Sequence, residues 1–162
     1  GINIESYGDI FVYKYRDAMI GGDGTTMGRN IQYVEITNNR KVFTIANFHG
    51  SWSKGDKKDN RIRIVQSKNV KRFLENSQGA KILCGDFNLD PNTKSMQIME
   101  KGLRNLIREN KISSTRTPHY RHYDKASRFA DYILVSKDVR VKGFKVLSDV
   151  VSDHLPLYLD FS

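Results

Sequence analysis

The stretch Ala80 to Pro91, AKILCGDFNLDP, passes within a few residues from a short apolar run to a cluster of carboxylates and amides. An apolar run of this length, bounded by Gly79 and Gly85, has the signature of a buried strand and is short for a helix. Asp86 and Asn88, one residue apart, point the same way on an extended chain, so both can converge on one ligand while Phe87 turns into the core. A carboxylate beside an amide suits a hard cation or a phosphate oxygen. Asn-Leu-Asp-Pro-Asn is also good turn chemistry, which accounts for Asp90 and Asn92 but not for Asp86, which follows directly on the strand.

The flanking sequence builds a layered fold outward from this strand. From Arg61 to Glu75 the apolar residues Ile62, Val65, Val70, Phe73 and Leu74 fall within one half of a helical wheel, predicting an amphipathic helix that feeds the strand. Upstream, residues 10–14 and 31–36 are rich in β-branched and aromatic types. The second of these runs continues through TNNRK into 42–48 as a predicted hairpin. The glycine-dense segment 21–30 reads as a loop. Downstream, a helical stretch over 93–110, broken near Gly102, is followed by strand-like runs at 130–136, 143–148 and 155–161. Strands outnumber helices and alternate with them in the middle, which predicts an α/β (α+β) layered domain. The absence of repeats or linker-like segments predicts one domain over residues 1–162.

Three more polar clusters fall at the ends of predicted strands, where side chains can project into a common crevice from rigid supports. Asn47 and His49 close the 42–48 strand, and the histidine is open to a structural or a catalytic reading. Asp131 enters an otherwise apolar strand, where an unpaired carboxylate would cost several kcal/mol, so it needs a partner, histidine being the natural one. Asp153 and His154 stand in VVSDHLPL (150–157), where Leu155-Pro156 demands an extended exit. Their side chains are therefore expected on opposite sides of the chain, within core-forming apolar neighbours.

Lys and Arg number 27 against 18 Asp and Glu, a formal charge of +9 that favours a polyanionic partner. A single cysteine, Cys84, rules out an internal disulfide or a cysteine zinc cluster, and no apolar run reaches the roughly 18 residues of a membrane-spanning helix. The loop 113–128 interleaves Arg116, His119, Tyr120, Arg121, His122, Tyr123, Lys125 and Arg128, cations for phosphates mixed with aromatic faces for bases or sugars. A second basic segment places Lys54, Lys57, Lys58 and Arg61 near His49, with Trp52 open to stacking on a base or packing in the core.

Taken in order, NFHG, GDFNLDP, ADYILVS and SDHLPL resemble the endonuclease/exonuclease/phosphatase superfamily over about residues 28–162, and RIVQ at 63–66 is similar to that family's Arg-x-x-Gln helix opening. The resemblance implies a four-layer α/β sandwich and hydrolysis of phosphoesters assisted by Mg2+ or Mn2+. It implies His154 as general base, Asp131 as the carboxylate orienting it, and Asp86 and Asn88 as holders of the nucleophile and a non-bridging oxygen. It further implies Asp153 as a metal contact and His49 as a stabiliser of the transition state. Arg116, Tyr120, Arg121, Tyr123 and Arg128 are the expected substrate-binding residues, and DNA or RNA the expected partner. Inositol phosphate or sphingomyelin hydrolysis and a catalytically impaired nucleic-acid-binding fragment stand as alternatives. The family's opening strand with an asparagine, and the later strand ending in a metal-binding glutamate, have no counterpart before NFHG; Glu5, Asp9, Asp17 and Asp23 have the wrong surroundings. The fold is therefore expected to be incomplete at its start, with an exposed sheet edge that invites the missing part or self-association.

Overall fold

In the computed structural model, residues 1–15, 27–53, 56–121, 123 and 128–162 are described. Most of the predicted 21–30 loop, together with Asp17, Asp23, Lys54, His122 and Lys125, lies outside them. Among the described residues, eight strands and three helices follow in the order β1 (Ile2–Tyr13), β2 (Arg29–Asn38), β3 (Lys41–Phe48), α1 (Arg61–Asn76), β4 (Ala80–Asp86), α2 (Lys94–Glu100), β5 (Leu103–Asn105), α3 (Leu106–Glu109), β6 (Asp131–Ser136), β7 (Val141–Val146) and β8 (Leu157–Phe161). The six strands of the larger sheet run in the order β1-β2-β3-β4-β6-β5, and β7 and β8 form a separate antiparallel pair.

The predicted hairpin is β2 and β3, joined through Asn39 and Arg40, whose φ angles of 50° and 66° give the doubly left-handed turn that matches strand twist. Strand β3 runs parallel to β4 through the crossover helix α1, while β4 and β6 are antiparallel. The parallel pair sets the site: β3 and β4 end at the same edge of the sheet, and antiparallel β6 begins there, opposite Asp86.

Two apolar cores lie on opposite faces of this sheet. On one, Ile31, Ala46, Phe48, Leu83, Tyr132 and Leu134 pack with Val70 and Leu74 of α1 and Met96 and Met99 of α2. On the other, Phe43, Ile82, Ile133 and Val135 meet Phe144, Leu157, Leu159 and Phe161 of the β7–β8 pair. The described residues thus form three layers, helices, sheet and small sheet. Strand β1 is an edge of the large sheet. Its Ile4 and Tyr7 pair with Ile36 and Val34, on the side of the second core, yet remain 67% and 81% exposed because β7 and β8 cover only part of that face.

The structure corrects the predicted elements in particular places. The first strand begins at Ile2 rather than near residue 10, because pairing with β2 holds a sequence whose pattern is not strongly apolar. The predicted 93–110 helix stops at Glu100. Gly102, at φ +80°, turns the chain, and Leu103–Asn105 pairs with β6 as a short strand before α3 begins. Val150 and Val151, expected in the core, are exposed at 55% and 80%.

Candidate active site

Gly85 is what lets β4 end as it does. Its φ is +129°, and a Cβ there would lie 2.3 Å from the Phe48 carbonyl oxygen, so only glycine allows β3 and β4 to close at this point. Beyond it the GDFNLDP segment is tied on every side. The Gly50 N–H donates to the Asp86 carbonyl at 2.8 Å, and the Phe87 N–H to the Ala130 carbonyl at 2.7 Å. The buried Tyr132 hydroxyl donates to the Leu89 carbonyl at 2.6 Å. Phe87, 1% exposed, stacks on Tyr132 as the alternation requires.

The RIVQ segment holds the other wall. Arg63 and Gln66 are each 1% exposed, although polar residues at a helix start would ordinarily face solvent. The Arg63 guanidinium donates to the carbonyls of Ser51, Asp56 and Lys58, and Gln66 accepts from the Ser51 N–H while donating to its hydroxyl. The segment that follows His49 is thereby fastened to α1. Lys57 is not part of a basic surface, as its neighbours suggested. It is 5% exposed, its ammonium donates to the Phe129 carbonyl at 2.5 Å, and its own carbonyl accepts from the Asp90 N–H. Burial pushes its pKa down to about 8.

At the centre, the His154 Nδ1–H donates to Asp131 Oδ2 at 2.8 Å, a carboxylate having only acceptors to offer. Its Nε2 then faces Asp86 Oδ2 at 3.8 Å. Hydrogen bonding to Asp131 raises the His154 pKa above its ordinary value, against the opposing effect of burial. His49 Nε2 lies 4.0 Å from the same Asp86 oxygen, and desolvation holds its pKa below the ordinary value. Asn88, 2% exposed and at φ +51°, donates to the Gly50 carbonyl and leaves its Oδ1 buried without a partner.

Asp86, Asp131 and His154 bring ligand atoms within 4.8 Å of one another. Oxygen donors around a Mg2+ ion lie at most roughly 4.2 Å apart, given metal–oxygen distances near 2.1 Å, so a small closure completes such a set. The two carboxylates are donors that a hard divalent cation prefers, and the cluster fits Mg2+ or Mn2+. Among the described residues this cluster contains no glutamate, and Glu5 is exposed on β1.

Asp153 and His154 do not diverge. Strand β8 begins only at Leu157, Asp153 lies in a bend that ends at His154, and the His154 Nε2 to Asp153 Oδ1 separation is 4.0 Å. The Asp153 carboxylate is joined to Arg116, at 2.6 Å, and Arg116 is 5% exposed rather than offered to solvent. Of the other expected substrate contacts, Arg121 and Arg128 are exposed, and Tyr120 and Tyr123 are half-buried. Arg128 lies over the Tyr123 ring at 4.7 Å. Trp52 is 43% exposed. Residue-by-residue reading missed Arg29, a half-buried cation whose charge acts on both Asp86 and His49. The hairpin could have revealed it, since the β2–β3 register, continued beyond Ile31 and Phe48, sets Arg29 beside His49 and Gly50.

A family model described as endonuclease/exonuclease/phosphatase matches residues 21–154. A comparison with curated protein sequences finds no match. Among solved structures, a mannosyl-6-phosphatase of Bacteroides thetaiotaomicron is 20% identical over 99% of this chain and 67% of its own, with a TM-score of 0.76. The human nocturnin catalytic domain with bound sulfate is 24% identical, covering 99% and 60%, with a TM-score of 0.69. D. rerio TDP2 in complex with a single-stranded DNA product is 15% identical, covering 99% and 68%, with a TM-score of 0.68. These likenesses show the fold, of which this chain spans 60% to 68% of the length in the three structures. By the family match and the shared α/β sandwich, the chain belongs to the endonuclease/exonuclease/phosphatase family.

Proposed function

We propose that this site hydrolyses phosphodiester bonds in nucleic acid with the help of Mg2+ or Mn2+. The observation that carries the reading is the His154–Asp131 hydrogen bond at 2.8 Å, which leaves Nε2 facing Asp86, 3.8 Å from its Oδ2. Nε2 of the neutral ring accepts a proton from the attacking water, and Asp131 stabilises the imidazolium that results. Asp86 and Asn88 orient the water and a non-bridging oxygen, and His49 donates to the charge that develops on the phosphoryl group. Asp86 and Asp131 would hold the divalent ion, which, when bound, neutralises that charge further. The +9 formal charge and exposed Arg121 and Arg128 with Tyr123 favour a polyanion bearing stackable rings.

A second reading, hydrolysis of a small sugar phosphate, is suggested by the likeness in fold to the mannosyl-6-phosphatase. Supercoiled plasmid, a short duplex and a hexose 6-phosphate should each be incubated with Mg2+ or Mn2+, with chelator, and with His154→Ala. Nicking that needs the ion and disappears in the variant is the expected result. Phosphate release from the sugar alone would favour the second reading. Cleavage unaffected by chelator and variant would refute both, and salt-sensitive binding without any cleavage would leave a nucleic-acid-binding domain.

A further inference from the structure

Arg116 belongs to a short backbone rung. It forms an antiparallel bridge with His154, flanked by Thr117 N–H to the Asp153 carbonyl at 3.1 Å and Leu155 N–H to the Thr115 carbonyl at 3.0 Å. Residues opposite each other on such a rung present their side chains to the same face, so Arg116 stands beside the imidazole and shares its target. Its Nη1 reaches Asp153 Oδ2 at 2.6 Å and its Nη2 lies 3.7 Å from Asp86 Oδ2. The guanidinium rests on the Tyr120 ring at 4.3 Å, and its Nε is buried without an acceptor.

A cation between two converging carboxylates occupies the position a metal ion would take. We infer that Arg116 is the resident counter-ion of Asp153 and Asp86, so that Asp153 ligates no metal and the site takes one divalent ion fewer than its carboxylates could support. The inference rests on the metal-assisted reading above and modifies it in one respect, removing Asp153 from the ligand set. An arginine serving the substrate would present its forked donors to solvent, whereas this one is 5% exposed with both terminal nitrogens directed at carboxylates. A divalent ion at Asp153 would have to displace a guanidinium paired with that carboxylate and stacked on an aromatic ring. Arg116 is in this sense a positioning residue that also sets ion number.

The test is Mn2+ binding, counted by the electron paramagnetic resonance signal of the free ion and by calorimetry, independently of turnover. Arg116→Met should bind one more Mn2+ per chain than the wild type. The additional ion should vanish in Arg116→Met combined with Asp153→Asn, and Arg116→Lys, which restores the charge, should return the wild-type number. An unchanged number in Arg116→Met overturns the inference. If that variant does not fold by circular dichroism, Asp153→Asn in the wild-type background decides: an unchanged number supports the inference, and loss of an ion overturns it. The metal reading is judged separately, by whether the wild type binds Mn2+ and Asp86→Asn weakens that binding at least about tenfold.

Discussion

Arg63→Met tests whether the wall of the site is held from α1. The arginine is 1% exposed and donates to three carbonyls, and methionine fills much of the stem volume while removing every donor. Ser51 is itself 2% exposed, so its carbonyl stays dry, at a cost of about 1–3 kcal/mol. Asp56 and Lys58 are exposed, so their carbonyls can turn to water and lose only about 1 kcal/mol each. The ion pair with Asp56, whose side chain is 56% exposed, adds little. Relief from burying a guanidinium offsets part of the sum, leaving a loss of about 2–4 kcal/mol, or roughly 5–15 °C in Tm for a chain of this size. Urea unfolding at unchanged slope measures the loss, and hydrogen exchange locates it. Amides of Gly50 to Ser53 and Asp56 to Lys58 should lose protection before those of β4 and β6. A loss below about 0.5 kcal/mol, or exchange that rises evenly over the sheet, would refute the anchoring role.

Other consequences follow from the same contacts. Tyr132→Phe keeps the stack on Phe87 but strands the Leu89 carbonyl, and should cost about 1–2 kcal/mol in denaturant unfolding; equal stability would contradict the hydrogen bond. Asp131→Asn should lower the His154 pKa in an NMR titration, since the carboxylate is the largest cause of its elevation, and should cut hydrolysis on the order of 100-fold or more. Because the folded His154 pKa is raised, its contribution to stability is complete below the unfolded value of about 6.5 and is lost as pH rises through the folded value. His154→Gln should therefore destabilise the metal-free chain more near about pH 5.5 than near about pH 8.5, and a difference of the opposite sign would show that the pair with Asp131 is not formed. Hydrolysis, which needs neutral Nε2, should rise over the same interval.

What the sequence disclosed depended on whether the information was local. TNNRK carries its own turn chemistry, so the hairpin was legible. The glycines of AKILCGDF bracketed a strand, and Asp131 in an apolar run announced a need for a histidine. Strand β1 was half hidden because its outer residues meet no described partner. The short β5 was hidden because three residues carry no period, and only the turn at Gly102 and pairing with β6 make them a strand. Side-chain direction at Asp153 failed for a related reason. The alternation rule presumes a strand, and Leu155-Pro156 delays the strand until Leu157, leaving a bend in which neighbours can converge.

The same distinction between local and distant explains the basic residues, which composition assigned collectively to a surface. Lys57 and Arg116 are cations of the interior, committed to a carbonyl and to carboxylates, and Arg29 is half-buried within electrostatic reach of Asp86. Three carboxylates, Asp86, Asp131 and Asp153, converge in a partly buried crevice with cations among them, which offsets their mutual repulsion. Part of the +9 is therefore a requirement of the active site rather than an attraction for polyanions. Neutralising Arg121 and Arg128 together should shallow the salt dependence of nucleic-acid binding, because they are exposed to phosphates, whereas neutralising Arg116 should leave that slope unchanged, because its charge is already opposed by Asp153. A slope that changed equally in both cases would mean that the buried pair opens to the ligand.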